Sequence, residues 1–439
     1  MTVLKRSRSG MELEMQLLDA EGMIANKSDD FIPKVKKKHK EVDLVFEVAK
    51  NMVELRSLPK VRLKDSLPLL FDSLAIVLEE AEKQDLKIFG LSSYPGSFKP
   101  EIIKALRYKY QAKVFNNNYP SHISRFTGYH YHYTMPRGVF NYKKKALNDL
   151  YNSKTKQSLI DSFNLLVAVD PAATTLMQSS PFVNRKFVAK DSRLLYWRNA
   201  SEIDFYDSVF ADFPEFVELP DYLWTLSDLQ HKLKALDHKM KNLLRKNGVP
   251  ENFIKQKKLL DLVWTAVKIN KIGTLEYRGC DMNHPKYIAG MAVIFKSIQR
   301  VIHQEFLGVE ISDVAIKEPF KIEGNKILIP PQNYIKFKLQ PASIRIGFED
   351  PDVYNYTKRF FNFAKKYTNP DYLFLLKPIK EMIDRKKTVS DILISRAKKK
   401  GYSLDDCLPA SVCADIALKH SKQFAKETFK LKEKFAGLN

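Results

Sequence analysis

Glutamate alternates with apolar residues over residues 10–17, which read Gly-Met-Glu-Leu-Glu-Met-Gln-Leu. A period of two is typical of a β-strand with one apolar and one polar face, so Glu12 and Glu14 are expected to lie about 6–7 Å apart on the same face. Two such carboxylates repel each other unless a cation lies near them, and Mg²⁺ prefers carboxylate oxygen. The strand is therefore a candidate metal site, although a solvent-facing strand edge would give the same pattern.

The same alternation returns at residues 128–132, which read Gly-Tyr-His-Tyr-His. His130 and His132 are expected on one face of this strand, with tyrosines on the other. Neutral imidazole is a common metal ligand, but a zinc site usually includes a third His or Cys nearby. The many glutamates favour magnesium or manganese instead.

A third alternating segment, residues 274–278, reads Thr-Leu-Glu-Tyr-Arg. A guanidinium such as Arg278 can hold a transferring phosphoryl group with two hydrogen bonds, and Glu276 would then complete the metal site. A structural ion pair between these two residues is the alternative. Three strands that each present acid, imidazole or guanidinium predict a sheet face that binds metal and phosphate.

Four further residues are candidates for the same site. Glu54 lies in a short alternating segment, residues 52–56, and Glu47 precedes it in a predicted helix over residues 42–51. Arg193 and Arg198 lie on a predicted loop, residues 185–200, where they are candidates to clamp a substrate carboxylate. A surface helix for Glu47 and stacking of the arginines on Tyr196 and Trp197 are the alternatives. No glycine-rich phosphate loop is present, so side chains and metals would hold any nucleotide phosphates.

Composition limits the class of protein. The 439 residues are 44% hydrophobic and 28% charged, which is typical of a folded protein with a large core. The three cysteines lack the spacing of a zinc site, and their low number fits a reducing compartment. No stretch reaches the roughly 18–20 apolar residues of a membrane span, and the basic N-terminus lacks the apolar core of a signal peptide. We predict a cytoplasmic protein without a membrane partner.

Periodicity and turn residues predict the elements that must position these side chains. The segment 34–40 is predicted to be a polar loop, and residues 326–339 a hairpin-like element. We expect a catalytic domain over residues 1–308 and a mainly helical extension, residues 309–439, that packs on it. The other predicted strands cover residues 8–19, 86–91, 126–135 and 273–280, and the predicted helices cover residues 66–84, 99–110, 146–180, 225–246, 251–267, 286–305, 351–367, 379–387, 389–400 and 414–435.

Taken together, the chain resembles the glutamate–cysteine ligase type 2, or carboxylate–amine ligase, family. The family pattern is G-x-E-x-E, an acidic residue seven before a V-E strand, G-x-H-x-H, S-S-P-F, a segment with paired arginines, and T-[LV]-E-x-R-x-x-D. Each segment is weakly specific by itself, but all six come in the family's order. They match residues 10–14, Glu47 with Glu54, residues 128–132, residues 179–182, Arg193 with Arg198, and residues 274–281.

This resemblance implies an α+β fold like that of glutamine synthetase, in which a curved, mostly antiparallel sheet forms the active-site basin and helices pack outside. It implies ATP and Mg²⁺, or Mn²⁺, as cofactors. ATP would phosphorylate a substrate carboxylate, glutamate first among the acids considered, and an amine such as cysteine would displace phosphate to form an amide bond. Arg278 would contact the transferring phosphoryl group. The metal ligands would be Glu12, Glu14, Glu47, Glu54, His130 and Glu276, and the substrate-binding residues Arg193, Arg198 and His132.

Two other classes of function remain open. The net charge of +22 is compatible with a basic nucleic-acid-binding protein without catalysis, although the lysine clusters are scattered along the chain and favour a solvated surface. A catalytically inactive ligase fold used as a scaffold is a further alternative, against which the retained, mutually repelling carboxylates argue. The expected partners are a small-molecule carboxylate and an amine, and assembly into a homo-oligomer is left open.

Overall fold

The computed structural model describes residues 7–116, 118–148, 153–198, 203–205, 207–208, 210–256, 260 and 264–437. Its strands are β1 (Ser9–Leu18), β2 (Asp43–Phe46), β3 (Met52–Arg56), β4 (Lys87–Phe89), β5 (Gly128–Thr134), β6 (Phe140–Asn141), β7 (Ala146–Leu147), β8 (Phe182–Val183), β9 (Lys186–Phe187), β10 (Val267–Asn270), β11 (Thr274–Asp281), β12 (Gly308–Ile311), β13 (Ile322–Glu323) and β14 (Lys326–Ile329).

The α-helices are α1 (Ser28–Lys38), α2 (Leu63–Glu82), α3 (Leu106–Phe115), α4 (Tyr119–Ile123), α5 (Lys154–Met177), α6 (Ser192–Arg198), α7 (Leu226–Lys246), α8 (Glu251–Gln256), α9 (Pro285–Glu305), α10 (Val314–Lys317), α11 (Gln340–Arg345), α12 (Pro351–Lys366), α13 (Leu373–Arg385), α14 (Val389–Lys399) and α15 (Ala410–Ala436). Short 3₁₀ helices cover Pro214–Phe216, Gly347–Glu349 and Pro370–Tyr372, and a π-helical turn covers Tyr334–Leu339.

An antiparallel sheet organises the N-terminal two thirds of the chain. Its strand order is β10-β11-β5-β1-β3-β2. β5 pairs with the first half of β1, and β4 pairs with the last residues of β1 along the same edge. The combination of this sheet with surrounding helices confirms the predicted α+β class and the antiparallel arrangement.

The period of two along each strand separates an apolar face from a polar face. Met11, Leu13, Met15 and Leu17 of β1 are almost completely buried on the apolar face, as are the tyrosines of β5. Helices α5 and α9 pack against β11 and β5 there, while α2 and α15 pack against β4. The hydrophobic core therefore lies between the sheet and these helices.

Contrary to the expectation from the sequence that no segment is suited to span a membrane, helix α5 is long and apolar enough to do so by length and composition. In the folded protein, 94% of its apolar window is buried, and it packs against β11, α9, α11 and α12. Such burial is typical of the central helix of a core, and it explains the high hydropathy of this segment.

A second hydrophobic cluster lies across from the polar face of the sheet. It includes Tyr108 and Phe115 of α3, Tyr119 of α4, and Met240 and Leu244 of α7. Residues of this cluster and of the polar strand faces line the same cavity. The polar face is thus covered by an apolar wall rather than left open to solvent.

The part of the chain after residue 308 is mostly helical and packs directly on the sheet layer. α13 lies against α9, and α15 lies against α2 and β4. Its only sheet among the described residues is small: β12 pairs parallel with β14, and β13 pairs antiparallel with β14. Apolar residues of this part, such as Phe360 and Phe424, belong to the main core cluster. The division at residue 308 stays a prediction.

Three predicted elements were wrong. The predicted helix over residues 42–51 is instead strand β2 and a turn, because residues 43–46 pair with β3. The predicted loop 185–200 contains α6, whose first turn is capped where Leu194 N donates to Asp191 Oδ1 at 2.8 Å. The predicted loop 34–40 largely belongs to α1.

Other predicted elements differ in extent. The helix predicted for residues 251–267 is the short α8, and strand β10 begins at Val267, while residues 257–259 and 261–263 lie outside the described residues. The helix predicted for 99–110 begins only at Leu106, and that predicted for 146–180 only at Lys154. No hairpin forms over 326–339, because β14 pairs with strands that precede it and Tyr334–Leu339 is helical.

Candidate active site

Strand register brings the predicted acidic and basic side chains together on the polar face of the sheet. Glu12 of β1 lies opposite His130 of β5, and Glu276 of β11 lies opposite His132 of β5. On the other edge of β1, Glu14 lies opposite Glu54 of β3. Side chains of directly opposed residues contact each other, so this register gathers residues that are distant in sequence.

The first of two groups on this face consists of Glu12, His132 and Glu276. One potential ligand atom from each of them lies within 4.8 Å of the other two. His132 Nε2 is 3.3 Å from Glu12 Oε1, and His130 Nδ1 is 3.2 Å from Glu12 Oε2 and 4.0 Å from Glu276 Oε1. Both imidazoles therefore contact the carboxylates, and His132, which we expected to bind substrate, belongs to this group of potential metal ligands.

The charges of this first group stabilise one another. Burial opposes ionisation of Glu12, but hydrogen bonds with His130 and His132 hold its pKa well below the usual range. Burial also opposes ionisation of Glu276, yet Arg278 and His132 lower its pKa to about 2. Burial disfavours the imidazolium form of His132, while Glu276 and Glu12 outweigh this and raise its pKa. Both carboxylates are thus ionised at neutral pH.

The second group consists of Glu14, Glu47 and Glu54, whose oxygens also lie within 4.8 Å of one another. Burial and the negative charge of Glu14 raise the pKa of Glu47 to about 7. Burial and the neighbouring Glu47, Glu12 and Glu14 raise the pKa of Glu54 well above its usual range. Ionisation of all three buried carboxyl groups is electrostatically unfavourable, so a cation bound between them would be strongly favoured.

Arg278 projects into the basin between these two groups. Its Nη1 donates to Glu276 Oε1 at 3.1 Å, and 16% of its side chain is exposed. Burial alone would lower the pKa of Arg278, but Glu276, Glu14, Glu12 and Glu47 together raise it. A fixed guanidinium is therefore surrounded by carboxylates and keeps access to the cavity.

The two arginines predicted to form a substrate clamp are placed differently. Arg193 lines the cavity, its Nη2 donates to Arg278 O at 3.0 Å, and its buried Nη1 has no hydrogen-bond partner among the described residues. A Cβ atom on Gly128 would lie 2.5 Å from Arg193 Nη2, so glycine leaves room for this guanidinium. Arg193 is thus available to an anionic ligand.

Arg198 lies outside the basin. Its two Nη atoms donate to the two carboxylate oxygens of Asp170, and Nη1 also donates to Gln340 Oε1 at 3.0 Å. Only 2% of the Arg198 side chain is exposed. Because its donors are used inside the core, the structure contradicts the predicted pairing of Arg198 with Arg193 on a substrate.

The cavity above these groups has a volume of about 320 Å³. Several lining residues were missed in the sequence. Asn270 Nδ2 donates to Glu276 Oε2 at 2.6 Å, and Lys268 lies opposite Glu276 on β10. The sequence did contain a signal for Lys268 and Asn270, because polar and apolar residues alternate over residues 267–270 as in a β-strand. Arg107 in α3, beside Glu47, had no such signal. The apolar wall includes Tyr108, Tyr119, Phe126, Trp197, Met240, Phe253 and Trp264.

The donor set fits hard divalent cations. Carboxylate oxygens dominate both groups, and the buried Nε2 atom of His130, 3.7 Å from Glu14 Oε1, has no hydrogen-bond partner among the described residues. Such an atom would be costly to bury unless a ligand satisfied it. The first group offers two carboxylates with an imidazole, and the second offers three carboxylates, so each can hold one ion.

Comparisons with known proteins identify the fold. No protein-family model matches the sequence, and no curated protein matches it either. The structure is similar to a glutamate–cysteine ligase from Francisella tularensis in complex with AMP, with 13% identity, a TM-score of 0.58, and coverage of 98% of this chain and 93% of that chain. It is also similar to a bifunctional glutathione synthetase from Pasteurella multocida, with 15% identity and a TM-score of 0.56.

The chain has the carboxylate–amine ligase fold. The match to the glutathione synthetase covers 95% of this chain, which spans about half of that protein, 52% of its length. Two segments of the expected pattern contact each other in this ligase fold. Asp281 Oδ2 accepts hydrogen bonds from Ser179 N at 3.0 Å and from Ser180 Oγ at 2.7 Å. These residues tie the loop after α5 to the end of β11 and therefore support the basin structurally.

Proposed function

We propose that this protein is an ATP-dependent ligase that joins a small-molecule carboxylate to an amine through an acyl phosphate, with glutamate as the first acid to test. One observation carries the proposal: five glutamates, two histidines and Arg278 from four strands and the turn after β2 converge on one covered sheet face. The fold shared with a glutamate–cysteine ligase and a bifunctional glutathione synthetase supports it.

The reaction requires two anions to meet. A substrate carboxylate oxygen must attack the γ-phosphorus of ATP while the bond to ADP breaks, although both reactants are negatively charged. Arg278 is fixed by Glu276 at the edge of the cavity, where its guanidinium can stabilise charge on the transferring phosphoryl oxygens. Arg193, whose buried Nη1 has no hydrogen-bond partner among the described residues, would hold the carboxylate substrate.

Magnesium is the expected metal. Glu12, His132 and Glu276 would hold one ion and Glu14, Glu47 and Glu54 another, with His130 adjoining both groups. When bound, Mg²⁺ supplies screening of the phosphate charges and orientation of the phosphates, and Mn²⁺ has similar ligand preferences. The protein contributes a rigid sheet that holds these carboxylates close together before any ligand binds.

In the second half of the reaction the amine nitrogen attacks the acyl carbon. The C–N bond forms, the C–O bond to phosphate breaks, and the amine gives up a proton. The apolar wall, which includes Phe126, Trp197 and Trp264, limits the access of water to the cavity. Exclusion of water protects an acyl phosphate from hydrolysis, so this wall favours transfer to the amine.

The test is a turnover assay with purified protein, Mg²⁺, ATP and a panel of acids and amines. ADP release should require a suitable acid, and mass spectrometry should detect an amide product. Glu12→Gln and Arg278→Ala should each lower turnover at least about 100-fold, because each removes charge stabilisation at the reacting groups. Glu41→Gln is the control, since 64% of the Glu41 side chain is exposed outside the basin.

The outcomes separate the parts of the proposal. Full activity in both Glu12→Gln and Arg278→Ala would refute the assignment of the site. Acid-dependent ADP release with acids other than glutamate would retain the ligase class and replace the substrate. ATP-independent binding of single-stranded nucleic acid with a steep salt dependence, and no turnover, would favour the basic nucleic-acid-binding alternative.

A further inference from the structure

A buried hydrogen-bond network lies on the helical side of the sheet, next to the strand segment that carries Arg278. Asp170 of α5 accepts from both Nη atoms of Arg198 and from Tyr277 Oη at 2.6 Å. The side chains of Asp170 and Arg198 are 0% and 2% exposed. None of these side chains lines the metal-binding groups, so the network is distinct from the proposed ligand set.

Strand β11 is irregular where this network contacts it. Tyr277 pairs with Tyr131 and Cys280 pairs with Tyr129, so β11 advances three residues where β5 advances two. Arg278 and Gly279 therefore share the position opposite His130, which defines a β-bulge. A bulge interrupts the regular ladder, so its conformation needs support from other contacts.

Three contacts supply that support around Arg278. Arg278 N donates to Ala266 O at 2.9 Å, and Arg278 O accepts from Arg193 Nη2 at 3.0 Å. The preceding residue, Tyr277, is held by Asp170 on the other face of the strand. The backbone of Arg278 is thus fixed on both sides of the sheet.

The network also packs directly against the bulge. A Cβ atom on Gly279 would lie 2.5 Å from Tyr277 Oη, 2.6 Å from Asp170 Oδ1 and 2.7 Å from Arg198 Nη2. Glycine is required here because the network occupies the space that a side chain would take. The carboxylate and guanidinium therefore contact the backbone whose direction sets the orientation of Arg278.

We infer that Asp170, Arg198 and Tyr277 are positioning residues that fix the β11 bulge and so orient Arg278 toward the transferring phosphoryl group. The inference rests on the proposed ligase function for the role of Arg278. A buried ion pair is costly to form, and apolar residues of the same size would often hold a core equally well. Its directional hydrogen bonds instead specify one orientation of Tyr277 and of the bulge.

The same network connects the site with the C-terminal part of the chain. Gln340 of α11 accepts from Arg198 Nη1 at 3.0 Å and is 3% exposed. Nearby, Asp191 N donates to Ile344 O at 2.9 Å, just before α6, which carries Arg193 and Arg198. Helix α11 therefore contacts Arg198 directly and holds the backbone that leads into α6, which carries both arginines. Residues after 308 thus contribute to the geometry of the basin.

The experiment compares Tyr277→Phe with Tyr129→Phe. Both tyrosines are completely buried on the same face of the sheet, but the hydroxyl of Tyr129 has no hydrogen-bond partner among the described residues. Tyr277→Phe should lower kcat for ADP release about tenfold and leave KM for ATP within about twofold, because small misplacement of a positioned group affects the transition state most. Tyr129→Phe should leave both constants close to wild type.

Amide hydrogen exchange supplies a readout that does not depend on catalysis. In Tyr277→Phe and Asp170→Asn, peptides covering residues 274–281 should exchange faster than in wild type, whereas Tyr129→Phe should match wild type there. Equal exchange and equal kcat in the two tyrosine variants would overturn the inference. If the wild-type protein turns over no acid, the proposed function fails, and the exchange comparison still decides whether the network fixes the bulge.

Discussion

Glu14 and Glu54 are directly opposed carboxylates on neighbouring strands, and Glu47 lies beside them. Like charges in directly opposed positions destabilise a sheet, and burial adds to the cost. Arg56 Nε lies 3.8 Å from Glu54 Oε1, beyond hydrogen-bond distance. The metal-free protein therefore keeps a locally unfavourable arrangement that a bound cation would relieve.

Substitution of Glu54 by Gln separates the repulsion among these carboxylates from the stabilisation that a bound cation would give. We expect Glu54→Gln to raise the free energy of unfolding of the metal-free protein by about 1–2 kcal/mol, because it removes one of three clustered carboxylates. A ligand that binds the native state stabilises the protein. Because Glu54→Gln removes a proposed ligand of the ion, the variant should lose most of the stabilisation that Mg²⁺ gives the wild type. Thermal unfolding with a chelator and with excess Mg²⁺ measures both quantities.

Glu82→Gln is the matched control for that comparison, because 69% of the Glu82 side chain is exposed on α2. It should change neither the metal-free stability nor the response to Mg²⁺. An unchanged Mg²⁺ response in Glu54→Gln would show that the second acidic group does not bind the ion.

Sequence patterns predicted most of the basin at the residue scale. The period of two placed Glu12, His130 and Glu276 on polar faces, and the structure brings these faces together. The period of two did not reveal the partner of Arg198, because Asp170 lies in an apolar helix where its carboxylate is part of no periodic pattern. Nor did it distinguish His132 from His130, since alternation gives both histidines the same face.

At the scale of elements, the β11 bulge depends on the absence of a side chain at residue 279. We expect Gly279→Ala to destabilise the protein by about 2–3 kcal/mol, because the new methyl group would overlap the Asp170–Arg198–Tyr277 network. Urea unfolding measures the change. Gly308→Ala is the control, since its Cβ atom would have its nearest neighbours at 3.5 Å, an ordinary contact; equal effects of both substitutions would contradict the crowding described here.

Helix α15 covers the end of the sheet at β4. Gly90 follows this strand, and a Cβ atom there would lie 2.1 Å from the ring of Phe424, which is completely buried. We expect Phe424→Ala to lower the free energy of unfolding by about 3–5 kcal/mol, as large cavities in cores do. Denaturant titration should show Phe337→Ala close to wild type, because Phe337 is 57% exposed; a small effect of Phe424→Ala would mean that α15 is not part of the core.

The elements that sequence patterns predicted well are those with long, regular periodicity, such as α2, α7 and β5. The predictions failed where pairing with a distant strand, rather than local sequence, determines the conformation. Residues 43–46 form β2 because β3 offers a partner, although the surrounding spacing also fits a helix. The bulge at Arg278 and Gly279 could not be predicted either, because it is defined by register with β5 rather than by residue type.

At the scale of the whole molecule, buried histidines connect distant helices. His284, which precedes α9, and His420 of α15 share a hydrogen bond of 2.9 Å. Burial, together with a smaller contribution from nearby cationic groups, lowers the pKa of His284 to about 3 and that of His420 to about 2. Burial also lowers the pKa of His303 in α9 to about 3. These imidazoles are neutral in the folded protein.

This arrangement predicts acid sensitivity of the fold. Below pH 6.5 the unfolded chain binds protons at these histidines while the folded protein does not, so stability falls as pH falls, by about 1.4 kcal/mol per pH unit for each. Above pH 6.5 these histidines are neutral in both states, so they cause no loss of stability there. Urea titrations between pH 7.5 and 5 should show a shallower dependence for His420→Gln, whereas His231→Gln, at an exposed position, should keep the wild-type slope. Identical slopes would contradict the assignment.

The predicted architecture of a sheet with helices outside and a helical C-terminal part matches the structure in outline. Sequence patterns could not predict the contacts between the sheet and the C-terminal helical part. Residues such as Gln340 and Phe424 have no functional pattern in sequence, and their importance follows only from the partners they contact. The net charge of +22 has no partner assigned to it by the fold, and nucleic-acid binding stays an alternative to be tested.

The burial of α5 has a consequence for synthesis of the protein. This helix ends at Met177, but the helices that cover it begin at Pro285, Gln340 and Pro351. While the ribosome makes the intervening residues, a strongly apolar segment emerges without its native neighbours. Transiently exposed apolar surface of this kind promotes aggregation, so we expect chaperones to improve the yield of folded protein until α12 has been translated.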